Sequence, residues 1–325
     1  MSFAVNQVIG NYECLGIIDK PMAGVTYKVR NLATGEIESL RALPGTTSRD
    51  PESVERLLRE IRIQTRLSHP NIVEFHDAFE IDGRLVMTTE FLEAPTLADL
   101  CRAGDALPHP LAIRSIIQVL DGLEQAHELG IVHRGITAEH VIITKDGAKV
   151  SGFDLAKPAS DTNLTRVGTV AGDPRYISPE QVNGQPLDAR SDLYSVGVLL
   201  YQTLTGKLPF DGQRDMEILI AQVRSDPPAP RSVNPTISQE LEQIVLKALK
   251  KDPNQRFTSA KEFRDVISAI EMAQPTLQAA VTAPILASSH LAAKPEHRQT
   301  LASPLVLGML GAAIAVAAIV WLVGH

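Results

Sequence analysis

The spacing of apolar positions changes twice along the chain. Short runs at 12–18, 25–31 and 36–43 carry apolar residues at a period near two, as in Val25, Tyr27 and Val29, and predict strands. The turn-forming Ala33-Thr34-Gly35 joins the last two. Two more strands, 75–81 and 84–90, flank Asp82-Gly83, a dipeptide that favours a tight hairpin turn. One helix separates the two sets: Asp50 and Pro51 suit its N-cap and first position, and Val54, Leu57, Leu58 and Ile61 share a face up to Arg66. From residue 97 the period becomes helical. Helices are expected at 97–101, at 110–129 with Ile113, Ile116, Ile117, Leu120 and Leu123 on one side, and at 238–250 and 259–272. A strand-rich part thus precedes a helix-rich part, an α+β order.

The second change comes at residues 305–323, a run without a charge. At about 1.5 Å per residue it would span roughly 28 Å as a helix, close to a bilayer core. A C-terminal transmembrane helix is expected there. Lys294, His297 and Arg298 precede it, so the positive-inside rule leaves the large domain cytoplasmic, a single-pass protein of the inner membrane. Trp321 suits the far interface. Gly308 with Ala312, and Gly311 with Ala315, give a small-xxx-small spacing that would let two copies approach as a homodimer through the span. Residues 271–304, rich in Ala, Pro, Gln and Thr, read as a flexible juxtamembrane linker.

Composition narrows the function classes. With 325 residues and 44% apolar side chains the chain can fill a large core. A net charge of −7 and 4% aromatics supply neither the basic footprint nor the stacking platform of a nucleic-acid binder. Cys14 and Cys101 are far apart and outside any metal-ligand spacing, as expected of reduced cytosolic thiols.

The stretch that carries chemistry is 133–143, HRGITAEHVII. It resembles the catalytic loop of eukaryotic-type protein kinases, H-R-D-x-x-x-x-N, in which the Asp is the base for the substrate hydroxyl and the Asn binds a metal ion. The Asp position is Gly135 and the Asn position is His140; a Lys that most bacterial members place two residues after the Asp is Thr137. Further motifs follow in the family's order. Gly152-Phe153-Asp154 stands where D-F-G would bring its Asp to Mg²⁺; Ser178-Pro179-Glu180 matches A-P-E; Asp192 opens the D-x-W-S-x-G helix; and Arg256 matches the arginine paired with the A-P-E glutamate. The resemblance covers about 12–270 and implies a bilobal protein-kinase-like fold with an N-lobe at 12–90 and a C-lobe at 91–270.

It also implies roles. In the glycine-rich loop, Asp19 and Pro21 occupy two glycine positions and only Gly24 is kept, a poor cradle for triphosphate. Thr26 stands where a Val covers adenine. The strand lysine that holds phosphates is Arg41, and Glu60 is the helix glutamate that would pair with it; Lys20 is a candidate relocated lysine, and Glu90 begins the hinge. His133, Arg134, Asp192, Glu180 and Arg256 take the family's architectural roles. Asp173 replaces the Thr of G-T-P. Asp154 is expected to be a loop carboxylate in solvent or capping a turn, and a weak metal candidate, because two extended residues separate it from position 152 by about 6–7 Å.

With base, metal ligands and phosphate lysine all changed, the implied function is a membrane-anchored pseudokinase serving as a signalling scaffold. No catalytic residue and no cofactor are expected, and the partner would be a protein, an active kinase or its substrate. Two alternatives stay open. One is a weak serine/threonine kinase that uses ATP and Mg with rearranged groups such as Lys20, Asp154 or Glu139. The other is a nucleotide-binding switch without turnover, with Arg134 docking an activation segment phosphorylated at Thr165 or Thr169.

Overall fold

The computed structural model describes residues 3–19, 24–43, 50–81, 83–159 and 172–273. Lys20, Pro21, Met22, Thr165, Thr169, the linker from 274 onward and the apolar run at 305–323 lie outside the described residues. No helix among the described residues is long and apolar enough to cross a membrane.

Six strands form one antiparallel sheet: β1 (Val8–Ile9), β2 (Tyr12–Asp19), β3 (Val25–Asn31), β4 (Ile37–Ala42), β5 (Phe75–Ile81) and β6 (Arg84–Glu90), in the order β1-β2-β3-β4-β6-β5. Period-two alternation turns Tyr27, Val29, Leu40, Ala42 and Val86 to one side, where they pack with Tyr12 and Cys14 as the core of this lobe. The β5–β6 hairpin closes Ile81 on Arg84, and its turn needs the left-handed φ of +71° that Gly83 supplies.

Helix α1 (Pro51–Gln64) crosses between β4 and β5. The Asp50 carboxylate accepts the Ser53 backbone N–H at 3.0 Å, the N-cap its sequence predicts. Its inner face is not purely apolar: Leu57 and Ile63 are buried beside Glu60 and Gln64.

The second lobe is helical. Here α2 (Leu97–Cys101) and α3 (His109–Glu128) lead to β7 (Ile131–Val132); β8 (Val141–Thr144) pairs with β9 (Gly147–Val150), and β10 (Lys157–Pro158) returns to β7. There follow α4 (Pro179–Val182), α5 (Ala189–Thr205), α6 (Asp215–Arg224), α7 (Pro230–Val233), α8 (Gln239–Ala248) and α9 (Ala260–Ala273). Helix α5 is buried along most of its length and on all sides, the reason its sequence has no clear polar face. At Gly197 an added Cβ would lie 2.7 Å from that of Ala248, so glycine sets the close packing of α5 on α8.

The lobes are stitched together behind the cleft. Val73 N–H donates to Val150 O at 2.9 Å and Val150 N–H to Asn71 O at 2.8 Å, while the Asn71 side-chain amide donates to Ala148 O at 2.8 Å. Gly122 on α3 allows this, since an added Cβ would sit 2.9 Å from the Asn71 carbonyl.

Candidate functional site: the interlobe cleft

The floor of the cleft is built on a buried carboxylate with several donors turned towards it. Asp192, at the start of α5, accepts from the backbone N–H groups of His133 (2.9 Å) and Arg134 (2.8 Å) and from His127 Nε2 (2.8 Å). Burial pushes its carboxyl up, but the His127 hydrogen bond and the neighbouring imidazole and amide donors outweigh this and hold it below the usual carboxylate range. His133 Nε2 lies 2.9 Å from the Ser151 carbonyl and its Nδ1 accepts the Gly135 N–H at 3.2 Å, so the partners require a neutral ring protonated on Nε2. Burial agrees, pushing the imidazole down to about 4.

Below it, Arg256 holds Glu180 through two bonds of 2.7 Å. Its remaining donors go to the carbonyls of Lys250, Lys251 and Arg190, and Ser191 Oγ donates to Glu180 at 2.8 Å. The expected architectural pair and loop cap are therefore both present. Arg134 adopts a φ of +65°, and its carbonyl accepts from Gln181 Nε2 at 2.9 Å.

Above this frame, three of the altered positions form one packed unit. His140, on the 3₁₀ turn Ala138–His140, donates Nδ1–H to the Gly135 carbonyl at 2.6 Å. That bond swings the imidazole over Gly152: a Cβ at 152 would lie 2.5 Å from His140 Cδ2 and 2.6 Å from Cγ. Gly152 has φ +80°, ψ +40°, a left-handed conformation that starts the 3₁₀ turn Phe153–Leu155. Leu155 then covers Gly135, 3.2 Å from where a Cβ would stand. These three positions offer Mg²⁺ no side-chain oxygen: two carry no side chain, and the third fills their space with an imidazole. Mg²⁺ requires oxygen ligands in near-octahedral array.

Thr137, the fourth altered position, is buried with its hydroxyl oxygen unpartnered. Asp173 is held by Arg175 at 2.5–3.1 Å, with no bond to the 133–143 loop among those described. Glu139 is exposed.

Arg41 on β4 reaches Glu60 on α1, Nη1 to Oε1 at 2.9 Å, the pair its position predicts. Burial pushes the Glu60 carboxyl up to about 7, against the pull of Arg41. Asp154 departs from its sequence expectation. It is part-buried and faces the cleft, 3.8 Å from Arg41 Nη2, because the 3₁₀ turn curls the backbone that an extended reading would have stretched away. Glu90, expected at the hinge beside a nucleotide, has its carboxylate on Lys149 Nζ (2.5 Å) and on the Glu74 N–H (2.8 Å). Gly24 packs beside Arg41.

Sequence inspection missed the contact between positions 140 and 152. A bulky ring beside a lost side chain was its visible trace.

A family model described as protein kinase domain matches residues 12–267. Among curated proteins the chain is 35% identical over 300 residues to a probable serine/threonine-protein kinase of Streptomyces coelicolor, covering 90% of this chain and 44% of that protein. It is 33% identical to serine/threonine-protein kinase pkn3 of Myxococcus xanthus (90% and 55%) and 30% identical to PrkC of Bacillus subtilis (82% and 41%). The chain thus spans about half of each relative's length or less. Among solved structures, the PknI kinase domain of Mycobacterium tuberculosis superposes with a TM-score of 0.64 at 23% identity, over 83% of this chain and 99% of that one, a likeness of fold.

Proposed function

Because this chain belongs to the protein kinase family, we propose that it is a pseudokinase: the family's frame kept as a signalling scaffold or binding module while phosphotransfer is given up. The observation that carries this reading is the His140 ring in the space a side chain at 152 would need, tied by its own hydrogen bond to the residue that replaces the base. A positioned base contributes about 10²–10⁴ in rate, and a metal ion stabilises several kcal/mol of transition-state charge. Losing both together leaves a turnover below any useful rate. The partner is a protein, an active kinase or its substrate. In this reading the 305–323 run anchors the chain to the bacterial inner membrane with the kinase-like domain on the cytoplasmic side.

The test is transfer of radiolabelled γ-phosphate by the purified full chain to itself and to a generic acceptor, with Mg²⁺ or Mn²⁺. No incorporation above an Arg41→Met control is expected. Membrane fractionation of the full chain against a chain ending at residue 304 tests the anchor, with loss from the membrane fraction expected for the shorter one.

A second reading has its own support. The relatives are named serine/threonine kinases, and Asp154 faces the cleft within reach of Arg41. On that reading the chain is a weak kinase with rearranged groups, and incorporation that disappears in Asp154→Asn is its signature.

A further inference from the structure

Lys28, Lys149, Lys247 and Lys261 each hold a carboxylate. Lys251, just past α8, is placed differently. Its ammonium enters an aromatic corner, 4.1 Å from the centre of the Phe210 ring and 5.6 Å from that of Tyr194, with Nζ 3.2 Å from the Tyr194 hydroxyl oxygen. Among the described residues no carboxylate forms an ion pair with it. Both rings are buried, while the lysine itself stays part-exposed.

The hydroxyl is oriented from its far side. Gln222 Nε2 donates to the carbonyls of Pro174 (3.1 Å) and Arg175 (2.8 Å), so its Oε1 is the acceptor for the Tyr194 O–H at 2.6 Å. The Tyr194 oxygen therefore turns a lone pair to Lys251 and offers it no countercharge. Burial pushes the ammonium down to about 8, with Arg256 adding to the shift and Asp226 opposing it. Against a usual lysine value near 10.4, the uncharged share around neutral pH rises on the order of a hundredfold.

We propose that Lys251 is a modification site, an amine that takes a small acyl group from an activated acyl donor, and that the adduct loosens the packing of the 250–256 segment on α5. The lone pair of the uncharged Nζ attacks the acyl carbon and forms the N–C bond. The bond from that carbon to the donor's phosphate or thiolate breaks, and the surplus proton on nitrogen goes to water. The product is a neutral amide, which has lost the attraction of a cation for the two ring faces. It also carries added atoms for which the corner must make room. The Lys251 carbonyl accepts from Arg256 Nη2 at 2.9 Å, so a shift of this residue reaches the Glu180 pair. None of these steps involves the interlobe cleft.

The experiment treats the full chain with limiting acetyl phosphate, and separately with acetyl-CoA, from about pH 6 to 10, and reads the rate at each lysine by peptide mass spectrometry. At about pH 7.5 Lys251 is expected to react roughly tenfold or more faster than the exposed Lys145 and Lys250, with a rate that levels off above about pH 8. Either donor succeeding supports the site, and the faster one identifies the source. The melting temperature should fall by about 2–4 °C as Lys251 becomes occupied. It should not move under the same treatment in Lys251→Arg, which keeps a cation over the rings and takes no acyl group. Lys251 reacting no faster than Lys145 or Lys250, a rate that climbs steadily to about pH 10, or full occupancy with unchanged melting overturns the proposal.

Discussion

The Glu180–Arg256 pair and the Gly135–His140–Gly152 unit lie in the same lobe, and they treat polar groups in opposite ways. Around Arg256 a full charge is buried and every donor has an acceptor; around Gly152 the charges have gone and an imidazole fills the room. Buried ionic groups are tolerated where hydrogen bonds complete them and are costly once one partner is removed. The frame therefore cannot lose a member without unfolding pressure. The cleft can, provided its losses fit one another. The three glycine and histidine changes are best read as one event in volume, not as independent deletions.

Several substitutions would break or sharpen this contrast. Arg256→Met should cost the most, about 3–5 kcal/mol in denaturant unfolding, since it strands the Glu180 carboxylate; a loss under about 1 kcal/mol would place the frame on the same footing as the cleft. Gly152→Asp comes next at about 2–4 kcal/mol, from overpacking against His140 plus the left-handed backbone. Adding His140→Asn should recover part of that loss, a coupling of about 1–2 kcal/mol in a double-mutant cycle. Strict additivity would show that the ring and the glycine are unrelated.

The next effect is one of sign with pH. His133 is pushed down by burial, so its stabilisation is complete above about 6.5 and is lost as pH falls towards 4. Glu60 is pushed up, so its stabilisation is complete below the usual carboxylate value and is lost as pH rises through about 7. Each window is expected to span about 1–3 kcal/mol. Thermal melts from pH 4 to 8 should show Glu60→Gln flattening only the neutral limb and His133→Asn only the acid limb. The smallest effect belongs to Thr137→Val, which removes a buried hydroxyl with no partner and should be neutral or stabilising by up to about 1 kcal/mol. A clear loss there would reveal a bond to Thr137 in solution.

Much of the frame was legible because it is written in local rules. The Asp50 cap, the Asp82-Gly83 hairpin and the alternation in β3 each depend on residues a few positions apart, and each appears where its pattern puts it. The Arg41–Glu60 pair was legible for another reason: the family's motifs fix both partners. What could not be read was orientation. Asp154 faces inwards because Gly152 turns the chain left-handed, a choice of backbone dihedral that a glycine permits but does not announce. The His140 ring is placed by a carbonyl five residues earlier, and Glu90 is drawn to a lysine 59 positions away. Neither leaves a periodic trace in the chain.

The stitch through Asn71, Val73 and Val150 decides how the cleft can open. Because β9 is the strand that runs on into Gly152, the segment that follows α1 and the wall of the cleft are riveted into one hinge plate. A movement that parts the lobes at this point has first to break the hydrogen bonds that tie Asn71 and Val73 to Ala148 and Val150.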